Sequence, residues 1–250
     1  MSTVKISAAA AVSTLGDSHV LPLGNVGNSE ANKVTVATLA QYAAKYASGI
    51  QVVWYPSSVS GRPYCADLSY FLSNNYSNIP VGLAIRNGTK TLVVSLTQES
   101  MYWGSGVGSG TYVSSRGSTY DLWDGEEKTA SIISVENDSS YAPGYCYQFS
   151  CSSGTYGLGA GQWWLPSVGE LYMILSHYWQ INFALSCINA LGTTTVTSLS
   201  RSYYWSSDEI SATYAWNVNF YYGYVGSNFS KASNSYVVRP VSAFQDGTSC

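Results

Sequence analysis

Apolar and polar positions change their period several times along the chain, and each change marks an element. Val20–Leu23 reads as a short extended piece, followed by a Gly/Asn-rich turn, GNVGNSEAN. In VTVATLAQYAAKYASG, Thr35 caps a predicted helix over 36–47 and Gly49 stops it. Its alanines leave a thin apolar face, too little to fold alone. Residues 1–48 therefore read as a short helical N-terminal arm. QVVWY, GLAIR and TLVVSL then read as strands, and Asn87-Gly88 joins the last two as a hairpin.

From Ser100 to about Gly161 the pattern is lost in Gly, Ser and Tyr, and a long loop region is expected. Ser167 and Glu170 form a capping box for a helix over 168 to about 178, with Leu171, Ile174 and Leu175 as its buried stripe. Ile181, Leu185, Ile188 and Leu191 mark a second helix, stopped by Gly192. In TYAWNVNFY, alternation puts Trp216, Val218 and Phe220 on one face and Asn217, Asn219 and Tyr221 on the other. VVRPV, residues 237–241, is a final strand. The class is α+β: two helices against irregular, mostly antiparallel sheet.

Composition narrows the role. Only 10% of the 250 residues are charged, with an ordinary apolar share, so a folded chain is expected rather than a disordered one. A net charge of -3 and no basic cluster argue against nucleic acid as a partner. No stretch approaches the length of a membrane-spanning helix, and no secretory leader is read. The five cysteines (Cys65, Cys146, Cys151, Cys187 and Cys250) are expected to be mostly free thiols, although Cys146 and Cys151 can bridge a short loop. With only His19 and His177 and no Cys-x-x-Cys, no metal or other cofactor is expected.

Catalytic constellations are also missing. Asp208 and Glu209 are adjacent, so in a strand they point to opposite faces and suit no two-carboxylate mechanism. His177 stands alone, and the Gly-rich runs WGSGVGSG and SSGTYGLGAG lack the Gly-Lys-Ser/Thr of a phosphate loop. Trp163, Trp164, Trp205 and Trp216 read as core anchors, and Glu209 and Arg239 as scaffold groups bonded to each other or to backbone. A non-enzyme is expected. By contrast, ISATYAWNVNFYYGYVGSNFSKASNSY, residues 210–236, carries one charge, Lys231, among Tyr, Ser, Asn and Gly. That is the texture of a binding surface: stiff amphipathic rings for area, small polar groups for adaptable hydrogen bonds.

GQWWLPSVGELYMIL (161–175), YYWSSDEISATYAWNVNFYYG (203–223) and YVVRPVSAF (236–244) occur in that order. Together they resemble the C-type-lectin-like fold in its sulfatase-modifying-factor branch. More closely, they resemble the variable proteins that diversity-generating retroelements diversify in gut Bacteroides and their phages. The matching scaffold residues are Trp164, Leu165, Pro166, Ser167, Glu170, Leu171, Tyr204, Trp205, Ser206, Ser207, Glu209, Arg239, Pro240, Val241, Ala243 and Phe244. Neither the reactive cysteine pair of the oxidase in that branch nor a calcium-type sugar loop is present. The opening segment resembles that of phage tail and virion proteins.

The resemblance implies a C-type-lectin-like domain over 49–250, with a variable region at about 203–236. Its variable, ligand-binding face would comprise Ile210, Thr213, Tyr214, Asn217, Asn219, Tyr221, Tyr222, Tyr224, Gly226, Ser227, Asn228, Phe229, Ser230, Ala232, Ser233, Asn234 and Ser235. Tyr214 is claimed both by the inward alternation and by the variable pattern. The implied role is a virion protein, of a tail or head fibre, that binds a host cell-surface protein or glycan. It would be made in the host cytoplasm and attached to other virion proteins through residues 1–48. By analogy with fibres it would be a homo-oligomer, a trimer by preference, without membrane insertion. A bacterial surface adhesin and a capsid decoration protein are the rival roles.

Overall fold

The computed structural model describes residues 20–23, 32–35, 49–55, 63–75, 77–87, 90–113, 115, 123–151 and 158–243. The predicted helix over 36–47, Phe244 and Cys250 lie outside them. Strand β1 (Val20–Leu23) pairs antiparallel with β2 (Asn32–Thr35), so the GNVGNSEAN segment joins two strands.

Two five-stranded sheets carry the rest. The first has the order β12-β6-β5-β3-β4, built from β3 (Ile50–Tyr55), β4 (Tyr64–Asp67), β5 (Ile79–Asn87), β6 (Lys90–Ser95) and β12 (Val241–Ser242). Asn87 pairs with Lys90, which makes β5 and β6 the expected hairpin. The second has the order β10-β9-β8-β11-β7, from β7 (Glu99–Tyr102), β8 (Tyr203–Glu209), β9 (Tyr214–Asn219), β10 (Tyr224–Ser230) and β11 (Ser235–Val238). Pairing is antiparallel throughout except between β11 and β8.

Five helices occur among the described residues, not two. Helix α1 (Leu68–Asn74) follows β4 directly. Helices α2 (Gly125–Ile133) and α3 (Ala142–Gln148), with β7, fall inside the stretch expected to be loop. Their apolar signal is too weak to read. Helix α2 buries only Gly125, Thr129 and Ile132, and α3 carries Pro143 in its first turn, where it is tolerated because no N–H is needed there. The capping-box helix α4 (Val168–Ser176) is as expected, with the Glu170 carboxylate taking the Ser167 N–H at 2.9 Å. It stops at His177, and α5 (Tyr178–Leu191) begins at the next residue and ends on Gly192 at φ 66°.

The main core lies between the sheets. Ile50, Val52, Leu83 and Val94 of the first sheet, Leu171 and Ile174 of α4, Ile181, Leu185 and Ile188 of α5, and Tyr204, Trp216, Val218 and Val225 of the second sheet form one cluster. Each such aliphatic side chain contributes about 1.5–3 kcal/mol by leaving water. Smaller clusters cover the outer faces: Val53, Val81, Ala84 and Val93 around Trp163 on the first sheet, and Ile132, Ala142 and Cys146 around Trp103 and Trp205 on the second. Burial on both faces explains why QVVWY shows no alternation. All four expected tryptophan anchors are buried, and each indole N–H has a partner: Leu158 O, Glu170 Oε2, Met101 O and Val113 O.

VVRPV is not one strand. Val237 and Val238 belong to β11 in the second sheet, and Val241 opens β12 in the first. Pro240 cannot donate to a ladder, so the chain leaves one sheet there and enters the other.

Candidate binding face

Strands β8, β9 and β10 set the site by register. Tyr204, Val218 and Val225 stand opposite one another and point into the core. Their neighbours Tyr203, Asn219 and Tyr224, and then Trp205, Asn217 and Gly226, share the other face. Sequence alternation thus assigns the faces correctly but not the exposure.

Asn217 and Asn219, expected at the surface, are buried at 0% and 3% exposure. The outer face is covered where Asn217 lies: Trp205 and Ala215 beside it belong to the cluster under α2 and α3. A Cβ on Gly226 would come within 2.6 Å of Asn217 Oδ1 and 2.7 Å of the Phe229 ring, so Gly226 is also buried and admits no side chain. Asn219 turns its Oδ1 back to accept the N–H groups of Tyr221 and Tyr222 at 2.8 and 2.9 Å. That bond shapes the β9–β10 turn. These three positions frame the face rather than present it.

The remaining predicted positions reach solvent and divide between two ends of the sheet. Tyr221, Tyr222 and Tyr224 crowd the β9–β10 turn, at 59%, 72% and 40% exposure. Thr213, Tyr214, Ala232 and Ser233 are exposed at the opposite end, beside the half-buried Ile210, Ser230 and Asn234, and Ser235 is exposed at the start of β11. Tyr214, claimed by both readings, is 40% exposed. The six residues of β9 separate the ends by about 17 Å. Between them, β10 is bulged from Gly226 to Phe229, with Asn228 at φ 62°, Ser227 and Phe229 half-buried and Asn228 exposed.

The turn end is a strip of aromatic rings. Tyr221 meets Tyr222 edge to face at 4.6 Å, and Tyr222 stacks on Tyr224 at 6.1 Å. Tyr224 shares a hydroxyl hydrogen bond of 2.8 Å with Tyr203, and Tyr203 stacks on Tyr236 at 5.0 Å. The hydrogen bond to Tyr203 raises the Tyr224 pKa. On the other side Arg201 lies 6.0 Å from the Tyr221 ring, 5.1 Å from Trp179 and 5.9 Å from Tyr178. Tyr203, Tyr236, Arg201 and Trp179 were not among the predicted site residues. The alternation that ties Tyr203 to Trp205 was available as a signal; the approach of α5 to the turn was not.

Lys231, the single charge of the segment, is fully buried. Its ammonium meets Glu209 Oε1 at 2.5 Å and Val107 O at 3.1 Å, over the Trp103 ring at 4.1 Å. Desolvation lowers its pKa, against the pull of Glu209. Glu209 also takes the Ser109 hydroxyl. Its neighbour Asp208 turns the other way, to Lys128 and to the Val168 N–H at 2.7 Å, and burial raises its pKa against the opposing charge of Lys128. Arg239 is not bonded to Glu209: it donates to Thr197 O at 2.7 Å and Gln98 Oε1 at 3.3 Å, and burial pushes its pKa down to about 10.

Cys146 and Cys151 are both free, as is Cys187, so no short-loop bridge forms; Cys65 is disulfide-bonded. Among the described residues no group of three or more His, Cys, Asp and Glu is placed to hold a metal ion, and no helix is long and apolar enough to cross a membrane.

No family model and no curated protein matches the chain. Among solved structures it is similar to a fimbrial protein from Bacteroides ovatus, at 18% identity and a TM-score of 0.48, over 77% of this chain and 43% of that one. The chain thus spans less than half the length of that neighbour.

Proposed function

We propose that this chain is the receptor-binding protein of a phage virion, carried on a tail or head fibre, with a C-type-lectin-like domain that presents a diversified face to a host surface ligand. Residues 1–48 attach it to other virion proteins and to copies of itself. The protein acts by contact, not by chemistry. The observation that carries the reading is the exposed ring strip around Tyr221, Tyr222 and Tyr224, held on a turn that Asn219 shapes. Contiguous exposed aromatics of this kind mark an interaction site. Each ring that pairs with a ligand ring adds about 0.5–1.5 kcal/mol, and a multimeric fibre multiplies modest affinities.

Particles carrying Tyr221→Ala, Tyr222→Ala and Tyr224→Ala together should lose adsorption to host cells, while the purified variant unfolds within about 0.5 kcal/mol of the parent. Unchanged adsorption sinks the reading. The diversification has its own test in the neighbouring DNA. A near-copy of codons 200–241 is expected beside a reverse-transcriptase gene, with Asn codons where this chain has Tyr and Ser in the variable positions. Sequencing the flanks and finding neither would remove that element and leave the adsorption result standing.

A further inference from the structure

Among the described residues, the charge that lies against the ring strip is Arg201, at one end. Arg201 is exposed, lies against three rings, and has no ion-pair partner among the described residues. Lys231, the cation of the 210–236 segment, is spent on Glu209, and Asp208 is spent on Lys128. A guanidinium braced by rings is pre-organised: its planar fork loses little freedom when it takes a carboxylate through two parallel bonds. The neighbouring surfaces are the 69%-exposed Trp179 and the tyrosine rings, flat faces edged with hydroxyls. Such faces suit the C–H faces of sugar rings, and their hydroxyls suit sugar hydroxyls.

Resting on the proposed binding role, we infer that the strip takes an acidic glycan, with the carboxylate of a uronic or sialic acid on Arg201 and the following sugars along Tyr221, Tyr222 and Tyr224. An extended peptide is the poorer occupant. It would add to a sheet edge, and the edge strand on this side, β10, is broken by its bulge and by Asn228 in the left-handed region.

The test is the full chain on an array of uronate- and sialate-bearing glycans. Each is printed beside its methyl ester, which removes the charge and keeps the ring faces, with neutral glycans and poly-glutamate as further probes. Free acids should bind and their esters should bind roughly tenfold more weakly or worse. Arg201→Gln should show the same loss on the acids and none on the esters, and Arg201→Lys should recover part of it. Added salt should weaken the acids alone. Equal binding of acids and esters, or capture of poly-glutamate in place of glycans, overturns the inference. If no glycan binds while host cells still capture the parent and not the triple tyrosine variant, the acidic-sugar assignment fails and the receptor-binding reading stands. If host cells capture neither, both fail.

Discussion

Lys231 holds the far end of the Tyr/Ser/Asn-rich segment, residues 210–236, against the rest of the domain. Its N–H donates to Thr213 O, and its carbonyl accepts the N–H groups of Trp103 and Gly104. Its ammonium closes on Glu209 where no water reaches. A buried pair of this kind adds little compared with apolar packing, because both charges lose hydration, but removing one partner strands the other. Lys231→Met should therefore cost about 3–5 kcal/mol, read as a fall in the urea midpoint, and Lys231→Met with Glu209→Leu should recover much of it. A single variant that costs less than about 1 kcal/mol would show that the pair does not pin the β10–β11 connection. The same logic gives Asn219 and Gly226 framing parts: one ties the Tyr221 and Tyr222 backbone, the other leaves room for Asn217 and Phe229.

At the level of elements, what the sequence makes legible is what local chemistry dictates. Helix α4 shows itself through Ser167 and Glu170, α5 through its apolar spacing and Gly192, and the β5–β6 hairpin through Asn87-Gly88. Helices α2 and α3 stay hidden because their buried positions are few and small, and their fold depends on Trp103 and Trp205 lying beneath them. The VVRPV motif hides its own break, since alternation cannot say that β11 and β12 belong to different sheets. The candidate binding face is half legible for the same reason. Period two separates Tyr221 from Phe220, but whether Asn217 sees solvent depends on the helices that cap that face. The contact of Arg201 with Trp179 depends on where α5 starts relative to the β9–β10 turn.

At the scale of the whole molecule, Cys146, Cys151 and Cys187 are free thiols in apolar surroundings and make stability depend on alkaline pH. Burial pushes Cys151 and Cys187 up to about 12, and Cys146 well above its usual 9.0. A folded thiol that keeps its proton to about pH 12 binds more protons than its unfolded counterpart titrating at 9.0. Its contribution is full below pH 9 and is lost as pH rises toward 12. Lys231 and Arg239 act in the opposite sense, because burial lowers both and the fold gains as they lose their protons. A difference between variants separates the two. Above pH 9 the unfolding free energy of the parent should fall more steeply than that of Cys187→Ala, by a margin that climbs toward about 1.4 kcal/mol per pH unit. Urea unfolding at intervals from pH 8 to 10.5 reads both slopes. The cavity left by the missing sulfur lowers the variant equally at every pH and so does not enter the comparison. Parallel slopes would mean that Cys187 titrates in the fold as it does in the unfolded chain, and that the core around α5 is open to hydroxide.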